Sequence, residues 1–186
     1  VGAPLIRFFS NNQITEPIRQ DGPIDHIIKK TGTPTMGGII ILISVIFGTI
    51  LWADLSNLYI WTLIFVCLSL GLLGFLDDYL KIKNKNSLGL NPKLKLLGQF
   101  IIALICLLIL INFTDHNYLK NLYLPFFKNL IIDLGLFFIP FGLLVIIGSS
   151  NAVNLTDGLD GLATVPVMLV ALSFTFISYI VGNFIF

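Results

Sequence analysis

The chain has 186 residues, 56% hydrophobic and 11% charged, with a formal net charge of +1. Soluble domains carry about 25% charged residues and about 45–50% apolar ones, so a mean hydropathy of +0.94 excludes a cytosolic enzyme domain and a disordered chain. The near-zero charge offers no basic field for nucleic acid, and a polytopic membrane protein is the class that remains.

Five apolar segments follow in chain order: Gly37–Ala53, Leu58–Leu76, Leu96–Phe113, Leu130–Gly148 and Leu162–Phe186. Their lengths suit helices that cross a hydrocarbon core of about 30 Å, which takes about 20 residues. The fourth contains Asp133 and Pro140, so a kink is expected there. The runs are continuous and do not alternate, which argues against strands. The predicted fold class is therefore all-α, a polytopic transmembrane helical bundle in one integral-membrane domain. The chain starts at Val1 without a secretory leader pattern and stops inside an apolar run. It reads as a piece of a longer protein, cut at both ends.

The loops set the topology. Arg7, Arg19, Lys29 and Lys30 precede the first segment, and Lys81, Lys83, Lys85, Lys93 and Lys95 follow the second. Asp54–Asn57 has no Lys or Arg, and the loop after the third segment has only Lys120 and Lys128. The positive-inside rule places residues 1–36 and 77–95 in the cytoplasm, and parity adds Ser149–Gly161. Phe126 and Phe127 read as an interfacial aromatic belt. Cys67 and Cys106 sit in apolar runs and read as small buried hydrophobes.

The few acids are concentrated. Asp77 and Asp78 are adjacent in GFLDDYLKIKNK, and Asp157 and Asp160 lie in NAVNLTDGLDGLA. The topology puts both pairs on one membrane face. Adjacent carboxylates repel unless a cation or proton lies between them. Lys81 is within a helix turn of either. Mg²⁺, which takes oxygen ligands from carboxylates and substrate phosphates, is the other way to hold them. Asn151, Asn154, Asp157 and Asp160 recur every three residues and share a face if helical, while Gly158 and Gly161 leave room for a ligand near the backbone. The plain readings are solvated helix ends, an N-cap at Asp160 and lysines that anchor topology. Two acidic clusters on one face of a charge-poor membrane protein favour function. His26 and His116 fall on opposite faces and form no metal pair.

These strings resemble a known family. KKTGTPTMGGI, GFLDDYLK, LPFFK and NAVNLTDGLDGLA are similar, in order and over nearly the whole chain, to the phospho-N-acetylmuramoyl-pentapeptide-transferase family. That family lies within the polyprenyl-phosphate N-acetylhexosamine-1-phosphate transferase superfamily. The resemblance implies about ten transmembrane helices in the bacterial inner (plasma) membrane, with the active site on the cytoplasmic face. It implies transfer of the sugar phosphate from UDP-N-acetylmuramoyl-pentapeptide to undecaprenyl phosphate. The products are lipid I and UMP, Mg²⁺ is the cofactor, and the pathway is peptidoglycan synthesis, hence cell-wall biogenesis, cell shape and division.

By motif, Asp77 and Asp78 match the acidic pair, with catalytic and metal roles. Asp157 is catalytic and substrate-binding, and Lys30, Lys81, Asn154 and Asp160 are substrate-binding. The family's first helix, and everything after the fifth span, would lie outside this chain. That later part includes a further metal-associated aspartate and a histidine-rich loop, so the 186 residues alone are expected to be inactive. The pattern leaves open base, nucleophile and metal-ligand roles for Asp77 and Asp78, and it leaves a homodimer open. Nucleic acid is not expected as a partner. The alternatives are a sister transferase that moves another N-acetylhexosamine phosphate, an inactive fragment of either enzyme, a transporter and a lipid-binding scaffold. Carboxylates at helix ends, away from the bilayer midplane, argue against the transporter.

Overall fold

The computed structural model describes residues 37–84, 89–113, 119–124, 127, 130–157 and 162–185. Lys30, Asp160, His26, His116 and Phe126 lie outside the described residues. The chain divides into two compact units, Val1–Leu143 and Leu144–Phe186.

In the first unit, α1 is Gly38–Trp52, α2 Leu58–Asn84 and α3 Pro92–Phe113. α1 has 15 residues, about 22 Å at 1.5 Å per residue, so this helix is short for a full crossing. It ends at Ala53, whose backbone is extended. The Asp54 carboxylate then accepts the backbone N–H and the hydroxyl of Ser56 in a tight turn. Asn57 caps α2, its side-chain oxygen accepting the Tyr59 N–H at 2.9 Å.

α2 has 27 residues and continues for about two turns beyond the apolar run that ends at Leu76. The polar sequence DDYLKIKN is therefore helical. α3 starts at Pro92, earlier than the apolar run. Asn91 supplies the cap, accepting the Lys93 N–H at 3.0 Å, and Pro92 occupies the first helical position, where its missing N–H costs nothing. α2 and α3 pair antiparallel, with Gly98 so close to Leu73 that a Cβ there would lie 2.8 Å from a Leu73 methyl. α1 lies antiparallel to α2, Gly38 near Asp78 and Trp52 near Ile60.

The core is thin. Ile64, Ala103, Cys106 and Leu107 are buried in the first unit, and no large side chain among the described residues is fully buried. The apolar surface left outside is what lipid or further helices cover. Cys106 is buried as expected, but Cys67 is exposed, because it faces the open side of α2 towards α1.

The fourth apolar run differs from expectation. Asn121–Tyr123 (β1) and Ile131–Asp133 (β2) form a two-stranded antiparallel hairpin with Leu122 opposite Ile132. The Asp133 carboxylate accepts the Gly135 N–H at 2.9 Å, and Gly135 takes a φ of +48°, a left-handed conformation that suits glycine. A short 3₁₀ turn, Gly135–Phe137, leads into α4, Phe138–Thr156. Pro140 therefore sits in the first turn of α4, where no intrahelical N–H is needed, and the mid-helix kink has no cause. α4 runs on into the second unit, where α5 is Thr164–Ile185.

Among the described residues, four helical segments are long and apolar enough to cross a membrane: Leu58–Asn84, Pro92–Phe113, Gly135–Thr156 and Thr164–Gly182. The fold is all-α and polytopic, with the hairpin as a small addition between two spans.

Candidate active site

Among the described residues, the junction of α2 and α3 gathers four charged side chains. Lys81 Nζ lies 3.1 Å from Asp77 Oδ2 and 3.0 Å from Asp78 Oδ1. Helical spacing alone accounts for this, since residues three and four apart share a face. The lysine is the cation that two neighbouring carboxylates require. Lys95, from the first turn of α3, reaches within 3.7 Å of the same Asp77 oxygen. The other oxygen, Asp77 Oδ1, accepts the Leu90 backbone N–H at 2.8 Å.

The two aspartates are thus not equivalent. The Asp77 side chain keeps 13% of its exposure, with both oxygens engaged, and Asp78 keeps 34%. Asp78 accepts from Lys81 through Oδ1. It also closes one end of a cleft of about 270 Å³ between α1 and α2, walled by Ile39, Leu42 and Phe75. Gly38 and Gly74 leave open space in that cleft, whereas Leu42 packs into the place a side chain at Gly71 would take. An apolar cleft lined in part by a carboxylate that is itself paired with Lys81 suits a ligand with a greasy body and a charged head.

In the second unit, Asp157 is exposed at the end of α4, its N–H closing the last turn on Val153 O at 3.0 Å. Asn154 is exposed one turn earlier, and Asn151 Nδ2 donates to Ile147 O at 2.9 Å. Asn151, Asn154 and Asp157 follow the helical repeat on one face, as the three-residue spacing requires. Asp77, Asp78 and Lys81 are brought together as the sequence implied. Lys95 was legible only as a topology lysine, and Gly89 and Leu90 carried no signal. Their places depend on how the chain turns from α2 into α3.

Among the described residues, no three His, Cys, Asp or Glu side chains converge on a metal position. The donor chemistry suits Mg²⁺ at Asp78, a hard oxygen ligand that lines an open cleft, because this ion is held by one or two carboxylates plus substrate oxygens. Asp77 suits it less, since three donors already occupy its oxygens.

Residues 59–186 match glycosyl transferase family 4. The whole chain is 58% identical to the phospho-N-acetylmuramoyl-pentapeptide-transferase of Pelagibacter ubique (strain HTCC1062), covering 52% of that protein. It is 54% identical to the enzyme of the same name in Rickettsia canadensis (strain McKiel) and 52% identical to that of Rickettsia prowazekii (strain Madrid E), covering 51% of each. The chain spans about half the length of the curated relatives it matches. The matched residues begin in the first turn of α2 and take in the whole charged junction and Asp157, so the chain belongs to glycosyl transferase family 4.

Proposed function

We propose that the complete gene product transfers phospho-N-acetylmuramoyl-pentapeptide from its UDP-linked form to undecaprenyl phosphate, giving lipid I and UMP for peptidoglycan synthesis. The observation that carries this reading is the Asp77–Lys81–Asp78–Lys95 junction, set at helix ends in a chain this similar to enzymes of that name. The lysine distribution supports a site on the cytoplasmic side of the bacterial inner membrane.

In this reaction an oxygen of the lipid phosphate attacks the sugar-bearing phosphorus of the nucleotide substrate. The bond from that phosphorus to the bridging oxygen breaks, and UMP leaves. A phosphate monoester has a second pKa of about 6, so the attacking group is already largely dianionic at neutral pH. Positioning and charge neutralisation matter more than a strong base. Lys81 and Lys95 are assigned to the substrate phosphates. Asp77 holds both ammonium groups in place, and Asp78 faces the apolar cleft and is the described carboxylate best suited to Mg²⁺. When bound, Mg²⁺ supplies positive charge at the pyrophosphate oxygens. Asp157 and Asn154, with Lys30 and Asp160, are assigned to the nucleotide-sugar substrate.

The test is UMP release by the purified complete gene product, given undecaprenyl phosphate and either UDP-N-acetylmuramoyl-pentapeptide or UDP-N-acetylglucosamine. The expected result is release at least about 10²-fold faster with the first, because a site that hydrogen-bonds the peptidyl sugar rejects analogues lacking those groups. A preference for the second would move the protein to a sister activity. The 186-residue chain alone, spanning about half of its relatives, is expected to give no turnover.

A further inference from the structure

Gly89 stands where any side chain would have to displace a neighbour. A Cβ built there would collide with Asp77 Oδ1, and would lie 2.8 Å from Asp77 Cγ and 3.0 Å from Lys81 Cε. None of these neighbours is free to retreat. Asp77 Oδ1 accepts the N–H of Leu90, the very next residue, and Asp77 Oδ2 is paired with Lys81 and Lys95. The Lys81 ammonium is itself shared between Asp77 and Asp78. The constraint is one of space, and its neighbours set it apart: a Cβ at Gly71, Gly98 or Gly142 would meet only leucine side-chain carbons, whereas at Gly89 it would meet a carboxylate and a lysine stem.

We propose that Gly89 is a positioning residue for the transfer reaction, acting through Asp77. Its missing side chain lets the 89–90 backbone close on the carboxylate. The Leu90 N–H then fixes one oxygen and turns the other towards both lysines, so the ammonium groups stand where substrate phosphates meet them. The proposal rests on the transferase reading above, and a displacement of an ångström at such a site is enough to cost about 10²-fold.

The experiment is a double-mutant cycle in the complete gene product, with Gly89→Ala and Asp77→Ser, which removes the carboxylate and makes room for a methyl group. The readouts are the Kd for UDP-N-acetylmuramoyl-pentapeptide and the melting temperature in detergent. Gly89→Ala alone is expected to weaken nucleotide binding by about tenfold. In the Asp77→Ser background the same change is expected to alter it by less than about twofold, since coupling of this size marks residues in contact. A purely structural glycine would lower folded yield and leave the Kd of the folded fraction unchanged. An unchanged Kd, or an equal loss in both backgrounds, overturns the proposal. If Gly89→Ala yields no folded protein, the double variant decides: recovery of a cooperative melting transition supports the contact, and no recovery overturns it. Absence of binding by the wild-type protein would instead overturn the transferase reading. A melting-temperature coupling in that case would leave Gly89 as a packing residue only.

Discussion

Asp78→Asn in the complete gene product is expected to lower turnover by about 10²–10³-fold, the size of effect seen when one pre-positioned charge or donor is removed from a transition state. The substitution keeps the side chain's shape and removes its charge. Asp78 is the more exposed of the pair and accepts from a lysine through one oxygen, so the fold has little at stake in it. Folded yield and melting temperature are therefore expected to change little.

Asp77→Asn is expected to lose comparable activity and some stability as well, because Lys95 and Lys81 lose a shared anion in a half-buried setting. Asp157→Asn is expected to reduce turnover without destabilising α4, whose last turn is closed by the backbone N–H and not by the carboxylate. Asp54→Asn serves as the control. Its carboxylate is engaged with Ser56 in an exposed turn at the other end of α2, and activity is expected within about twofold of wild type. Rates of UMP release, normalised to folded protein, check all four. Normal rates in all three of the Asp77, Asp78 and Asp157 variants would remove the site assignment.

Lys81→Met has the other large expected effect, and it acts on two properties. Two adjacent carboxylates then face each other with Lys95 as the remaining nearby cation among the described residues, 3.7 Å from Asp77 alone. Removing one partner of a fully buried ion pair costs about 3–5 kcal/mol. The side chains here keep 13% to 34% of their exposure, so solvent screening reduces the expected loss to about 1–2 kcal/mol. Turnover is expected to fall by at least about 10²-fold, since the phosphates lose their central cation. Lys81→Arg restores charge with a planar, differently placed fork. It is expected to recover the stability and only part of the rate. Thermal melting with UMP-release kinetics separates the two effects. Full activity in Lys81→Met would show that the lysine serves the fold alone.

The sequence carried the fold class because a span writes itself as about 20 apolar residues, whatever it packs against. It carried Asp77, Asp78 and Lys81 because their pairing is local to one helix. Lys95 and Leu90 meet Asp77 only after the chain reverses between α2 and α3, so their spacing along the chain held no trace of the contact. Gly89 was silent for a related reason: its contribution is an absent side chain. The hairpin was missed because β1 and β2 are too short for alternation to show, and Ile131–Ile132 merged with the apolar run of α4. The turn at Asp133 and Gly135 was the one available signal, and Asp133 within the run Leu130–Gly148 points from sequence alone to a kink with Pro140 and not to a hairpin. Cys67 illustrates the reverse limit, since an apolar neighbourhood in sequence does not tell which face of a helix is covered.

Covalent capture tests most directly whether this junction handles the phosphates of the nucleotide substrate. A UDP analogue with an aldehyde on its terminal phosphate forms an imine with a lysine beside the pyrophosphate, and borohydride makes the bond permanent. Peptide mapping of the treated complete gene product is expected to find the label on Lys81 or Lys95, and excess UDP-N-acetylmuramoyl-pentapeptide is expected to suppress it. Labelling confined to other lysines such as Lys83 and Lys93, or labelling of Lys81 that the substrate does not suppress, would contradict the account.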